Sequence, residues 1–76
     1  MQEQFLQFVA SLLGVNRTQL SMDTAYQSIP EWDSLSHMRL IMEIEVEYGI
    51  EIPIELMAEL LTLDALYARI PGGDAE

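Results

Sequence analysis

The sequence predicts an all-α fold, a small four-helix bundle of three longer helices and one short one, with a long first loop. Three observations predict it. Apolar residues recur at helical spacing near the start and the middle of the chain, capping residues stand at the boundaries of those stretches, and no segment alternates apolar and polar residues over strand length. At 76 residues the chain is one domain. A domain of this size buries only about 60% of its unfolded surface, so the core is small and there is too little protein to wall off a deep active site.

The first helix is expected from about Gln2 to Leu13, where Phe5, Leu6, Val9, Leu12 and Leu13 form one stripe. Gly14 is its natural stop. From about Val15 to Trp32 a long connection follows, rich in turn and cap formers such as Asn16, Ser21, Asp23, Ser28 and Pro30. It also holds Val15, Leu20, Met22, Tyr26 and Ile29, so it is expected to pack over the core rather than hang free. The second helix begins near Asp33–Ser34, with Asp33 as N-cap, and ends at Gly49, which suits a left-handed C-terminal position. Pro53 suits the first turn of a short third helix through about Leu60. Thr62 caps a fourth from Leu63 to about Ile70. Residues 1–70 form the domain on this reading, and 71–76, opening with Pro71-Gly72-Gly73, form a loose tail.

Charge excludes whole classes of function. Arg17, Arg39 and Arg69 stand against thirteen carboxylates, for a net charge of −10. Nucleic acid and anionic lipid require clustered Lys and Arg, so neither is an expected partner. Such a domain is steered instead towards basic surfaces on other proteins. There are no cysteines, which removes disulfides, thiolate metal sites and Cys nucleophiles together. With one histidine and no calcium-loop spacing, a metal site fails on ligand count. No stretch approaches the roughly 18 apolar residues of a membrane span, and the first residues do not read as an export signal. A cytoplasmic monomer is the expectation.

Two apolar faces share the second helix. Leu40, Ile41, Ile44 and Tyr48 are assigned to the core. Leu35, Met38 and Met42 form a second row, which is either further core or an exposed docking strip suited to Met's adaptable packing. Glu43, Glu45 and Glu47, with Arg39, are either a solvated face or the charged rim of that strip.

The chemistry gathers at Asp33-Ser34-Leu35. A serine at a helix start faces unpaired N–H groups and the positive end of the helix dipole, which favour an attached anion such as a phosphodiester. By itself the pair Asp-Ser at a helix start is more often a cap and nothing else. The wider pattern is more specific. Asp33-Ser34-Leu35, followed by Leu40-Ile41-Met42-Glu43-Ile44-Glu45-Val46-Glu47-Tyr48-Gly49-Ile50-Glu51-Ile52-Pro53 and then by Leu61-Thr62-Leu63, resembles the acyl and peptidyl carrier protein family in order and in lengths.

The resemblance implies that Ser34 accepts 4′-phosphopantetheine from coenzyme A through a phosphopantetheinyl transferase, with Asp33 and Leu35 completing the attachment motif. The arm's thiol then holds an acyl or aminoacyl group as a thioester, and Leu35, Met38, Arg39, Met42, Glu43, Glu45 and Glu47 face partner enzymes that load, transfer or condense it. The chain itself is a carrier and not an enzyme. Ser36, His37, Arg39 and Val46 dilute the acidity usual in fatty-acid carriers, with His37 read as an exposed, partly cationic residue, and Trp32 stands where a small residue is usual. Pro30-Glu31-Trp32-Asp33-Ser34-Leu35 therefore looks more like discrete carriers of polyketide, nonribosomal peptide or modified-acyl pathways. Two alternatives stay open on the sequence: a housekeeping fatty-acid carrier, and an acidic helical adaptor whose Ser34 is never modified. A Ser34–His37–Asp33 hydrolase is disfavoured, because Asp33 lies beside Ser34 in sequence and is poorly placed to orient His37.

Overall fold

A computed structural model describes residues 2–70; the expected tail at 71–76 lies outside the described residues. Four helices follow in order: α1 (Gln2–Leu13), α2 (Ser34–Tyr48), α3 (Ile54–Met57) and α4 (Leu63–Tyr67), with a 3₁₀ turn at Arg17–Gln19 inside the long first loop. No helix among the described residues is long and apolar enough to cross a membrane.

Both long helices stop by the same device. Gly14 and Gly49 adopt φ of +71° and +64°. This left-handed turn, which glycine enters without steric cost, sends the next N–H back into the helix. The Val15 N–H thus donates to the Ala10 carbonyl at 3.0 Å, and the Ile50 N–H to the Glu45 carbonyl at 3.1 Å. Orphan carbonyls at both helix ends are satisfied in this way.

One core joins the elements. Phe5, Leu6, Val9, Ala10 and Leu13 of α1 pack with Leu40, Ile41 and Ile44 of α2 and with Leu63, Leu66 and Tyr67 of α4. The Phe5 and Tyr67 rings lie 5.2 Å apart, and Phe8 meets Tyr48 edge-on at 5.9 Å. Leu20 and Trp32 enter this core from the loop, and Val15, Met22, Tyr26 and Ile29 pack against it. The loop is thus a built part of the bundle, as its apolar content predicts. Arg17 anchors its start, clamping Glu3 of α1 with Nε and Nη2 at 2.8 and 2.7 Å while Nη1 donates to the Leu20 carbonyl. Its middle pairs with the approach to α4: the Tyr26 N–H donates to the Leu61 carbonyl at 2.8 Å and the Leu63 N–H to the Thr24 carbonyl at 3.1 Å.

Two helices are shorter than the sequence predicts. Beyond α4 the Arg69 N–H reaches the Leu66 carbonyl and the Ile70 N–H the Tyr67 carbonyl, three residues back. The helix therefore ends in a tightened 3₁₀-type turn, as a following Pro71 favours. The third helix was expected to run through Leu60 and stops at Met57. The Met57 carbonyl, which a longer helix would use internally, is taken by the His37 ring at 2.9 Å. The bundle therefore has two long helices and two short ones rather than three and one.

Candidate functional site

The site begins in the turn that delivers the chain to α2. Gln27 sits in the left-handed region at φ +67°, uncommon for a residue with a side chain. Its N–H donates to the Trp32 carbonyl at 3.0 Å, and the Trp32 N–H donates to the Ile29 carbonyl at 3.1 Å. Residues 27–32 thereby close on themselves and drive the indole of Trp32 fully inside, with 0% of its surface exposed.

Asp33 follows in extended conformation and caps α2, its carboxylate accepting from the Ser36 N–H at 2.9 Å. Hydrogen bonds from Ser36, its backbone N–H first, hold the Asp33 carboxyl below its ordinary range. The sign follows from linkage. A carboxyl whose folded pKa is depressed stabilises the fold above its unfolded value of about 4, and that contribution disappears as pH falls through the lowered folded value. Asp33 is thus ionised at neutral pH and committed to the helix start.

Ser34, the first residue of α2, is exposed. Its hydroxyl stands where the helix dipole and the free N–H groups of the first turn favour a negatively charged substituent. A phosphodiester on this oxygen fits the position, because the serine is reachable by an enzyme and no packed side chain need move. Next to it lies a cleft of about 400 Å³. Ser34, His37 and Met38 of α2 form one wall, Ile54, Met57 and Ala58 at α3 form the other, and Tyr26 and Leu61 complete it. The lining is predominantly apolar and brings together four separated segments; of it, Ser34 and Met38 are site residues expected from the sequence, while Tyr26, His37 and Leu61 were read there in other roles and Ile54, Met57 and Ala58 in none.

The seven expected docking residues separate into two groups. Leu35, Met38 and Met42 are 75%, 51% and 60% exposed, which decides against their being core. Val46, at 80%, continues the same outward face. Arg39, Glu43 and Glu47 are also exposed. Glu45 differs: it is half-buried, and its carboxylate accepts from the Ile52 N–H at 2.7 Å. It ties the link after α2 back onto the helix, a local structural task.

His37 is the main correction. Read from the sequence as an exposed, partly cationic residue, it is only 5% exposed. The indole Nε1–H of Trp32 donates to its Nδ1 at 3.0 Å, and its Nε2 lies 2.9 Å from the Met57 carbonyl. An indole N–H can only donate and a carbonyl can only accept, so both bonds form together with the ring hydrogen on Nε2 alone. The Tyr26 ring lies over the imidazole with centroids 4.9 Å apart. Both ring nitrogens are therefore committed, and the imidazole is not available as a base for Ser34. The missed signal was spacing: 37, 40, 41 and 44 lie on one helical face, so His37 belongs to the core stripe.

Comparison with known proteins gives a family match that spans almost the whole chain. Residues 3–70 match the family described as "Phosphopantetheine attachment site". The chain is 33% identical to the acyl carrier protein of Rubrobacter xylanophilus over 58 residues, which cover 76% of this chain and 72% of that protein. It is 33% identical to the acyl carrier protein of Tropheryma whipplei over 61 residues, 80% of this chain and 74% of that one. With the acyl carrier protein of Rhodococcus erythropolis the identity is 29% over 70 residues, 92% of this chain and 77% of that one.

Proposed function

The chain belongs to the phosphopantetheine-attachment family, as an acyl carrier that bears the prosthetic arm and catalyses nothing itself, and from that premise we propose that Ser34 is the residue to which the arm is joined. One observation carries this reading: Ser34 is the exposed first residue of α2 and opens directly onto an apolar cleft. When bound, 4′-phosphopantetheine supplies a terminal thiol that holds cargo as a thioester, in a chain that has no cysteine of its own. The remaining chemistry is done by side chains present here. Asp33 sets the helix start, and the first-turn N–H groups favour the linking phosphate. The cleft offers apolar contact to whatever the thiol carries. Function lies in delivery: a tethered reactant meets an enzyme at high effective concentration, and no free intermediate has to find it.

The partners in this reading are a phosphopantetheinyl transferase and enzymes that load, transfer or condense the cargo. Leu35, Met38 and Met42 give them an apolar seat, and Arg39, Glu43 and Glu47 a charged rim. The chain acts as a monomer, since its charge of −10 opposes self-association. A specialised pathway, polyketide, nonribosomal peptide or modified-acyl, is favoured over housekeeping fatty-acid synthesis. Its support is the exposed Arg39 and Val46 on the partner-facing side of α2, which interrupt an otherwise acidic surface. His37, being buried, no longer contributes to that argument.

The test is an intact mass. Incubation with coenzyme A and a broad-specificity phosphopantetheinyl transferase should add one phosphopantetheine to the wild-type chain and none to Ser34→Ala, whose circular dichroism should match wild type. A correctly folded wild-type protein that stays unmodified, or a Ser34→Ala protein that still gains the arm, defeats the assignment.

A further inference from the structure

The Trp32–His37 pair has no part in attaching the arm, yet it stands between the cleft and the core. On one side the imidazole lines the cleft beside Ser34. On the other it receives the indole N–H of Trp32, which lies fully inside the bundle. Tyr26 covers the imidazole at 4.9 Å and meets the indole edge-on at 6.2 Å, so the three rings form one block. Any group entering from the cleft at this point meets His37 first.

Resting on the assignment of the arm to Ser34, we infer that the Trp32–His37 pair is a barrier that keeps long hydrocarbon chains out of the core, so that the fold shelters only short acyl groups, in the surface cleft. The physical reason is the direction of the two bonds. Displacing the imidazole breaks both at once. It strands the Trp32 Nε1–H among apolar side chains and removes the His37 donor from the Met57 carbonyl. A hydrocarbon chain can replace neither partner, so the apolar contact it gains is set against a buried indole N–H and a part-buried carbonyl left unpaired. An apolar side chain at position 37 would merely have to shift rotamer. His37 is the one polar residue buried in the core among the described residues, so the barrier is local to the mouth of the cleft. A short acyl group needs none of this displacement, because Met38, Ile54 and Leu61 already line the open space next to the attachment point. His37 acts here by position and does not touch the reacting thioester.

The experiment loads the whole chain with acetyl, butyryl, octanoyl and dodecanoyl pantetheine arms from the corresponding acyl-coenzyme A donors. Loading is verified by mass, and melting temperature and Trp32 fluorescence are then measured. Trp32 is the chain's single tryptophan, so its emission reports on the barrier itself. The expected result is a melting temperature constant within about 1 °C from butyryl to dodecanoyl, with unchanged emission. Penetration would instead raise it by about 5 °C or more for each added pair of buried methylenes. His37→Val, which lacks both bonds, should convert the flat series into a rising one. His37→Gln, which keeps an N–H for the Met57 carbonyl, should restore much of the flatness. A wild-type series that rises with chain length, accompanied by a shift in Trp32 emission, overturns the inference while leaving the carrier assignment intact, and it does so whether or not the valine variant folds. Failure of the arm to attach at all is seen by mass alone and removes the carrier assignment together with the inference.

Discussion

The two ends of α2 are held by different physics. Towards the C-terminal end, Leu40, Ile41 and Ile44 are buried among residues of α1 and α4, and Tyr48 packs beside Phe5 and Phe8. These contacts are apolar and non-directional, and their strength scales with the area removed from water. Towards the N-terminal end the neighbours are joined by directed hydrogen bonds: Asp33 to Ser36, Trp32 to His37, and His37 to the Met57 carbonyl. Here α3 packs Leu56 and Met57 against the core, gives the Met57 carbonyl to His37, and leaves an open cleft beside Ser34. The difference shows how a very small domain divides its labour. Apolar packing dominates at one end, while at the other oriented polar contacts are added to the packing of Trp32 and leave the cleft open.

The strongest way to break this comparison is at the apolar end. Ile44→Ala is expected to cost about 2–5 kcal/mol, because a fully buried branched side chain leaves a cavity that its neighbours only partly close. In a domain of this size that is a large share of the total stability. Urea denaturation followed by circular dichroism measures it, and a loss well under about 1 kcal/mol would mean that α2 is not anchored where the core suggests. Trp32→Phe probes the polar end. It keeps an aromatic ring but removes the donor to His37 Nδ1, and a cost of about 1–3 kcal/mol is expected for the acceptor left unpaired. If denaturation curves of the variant and wild type coincide, the directed bond does not hold the site. The smallest effect on folding belongs to the outward face of the same helix. Met42→Glu should change stability by no more than about 0.5 kcal/mol, as for other exposed positions. It should nonetheless slow turnover by a partner enzyme in an acyl-transfer assay. Unfolding of this variant would place Met42 in the core after all, and unchanged turnover would remove it from the docking surface.

Much of the scaffold was legible because its signals are local. The stripe from Phe5 to Leu13, the cap at Asp33 and the glycines at 14 and 49 each act within a few residues of themselves, so α1 and α2 have the expected bounds. The inward packing of the loop was also readable from Val15, Leu20, Met22, Tyr26 and Ile29. The lengths of α3 and α4 were less so. The end of α3 coincides with a bond from His37, twenty residues earlier in the chain, and propensity within Pro53–Leu60 carries no trace of it. His37 was misread because a side chain that can carry charge is usually exposed unless paired, and its partner, the indole of Trp32, had been noted only as an unusual residue before the motif. Glu45 was grouped with its exposed neighbours for the same reason, since its acceptor role depends on where Ile52 returns.

By itself the sequence determined the all-α class, the strong acidity of the domain, and the serine at the head of the second helix. Each depends on periodicity, charge or a neighbour a few positions away. The tertiary structure alone decided that the outward row of α2 stays uncovered, that Trp32 and His37 lock together, and that a cleft opens beside Ser34. These features depend on four segments meeting in space, and residues far apart in the chain carry no local mark of which partner will satisfy them.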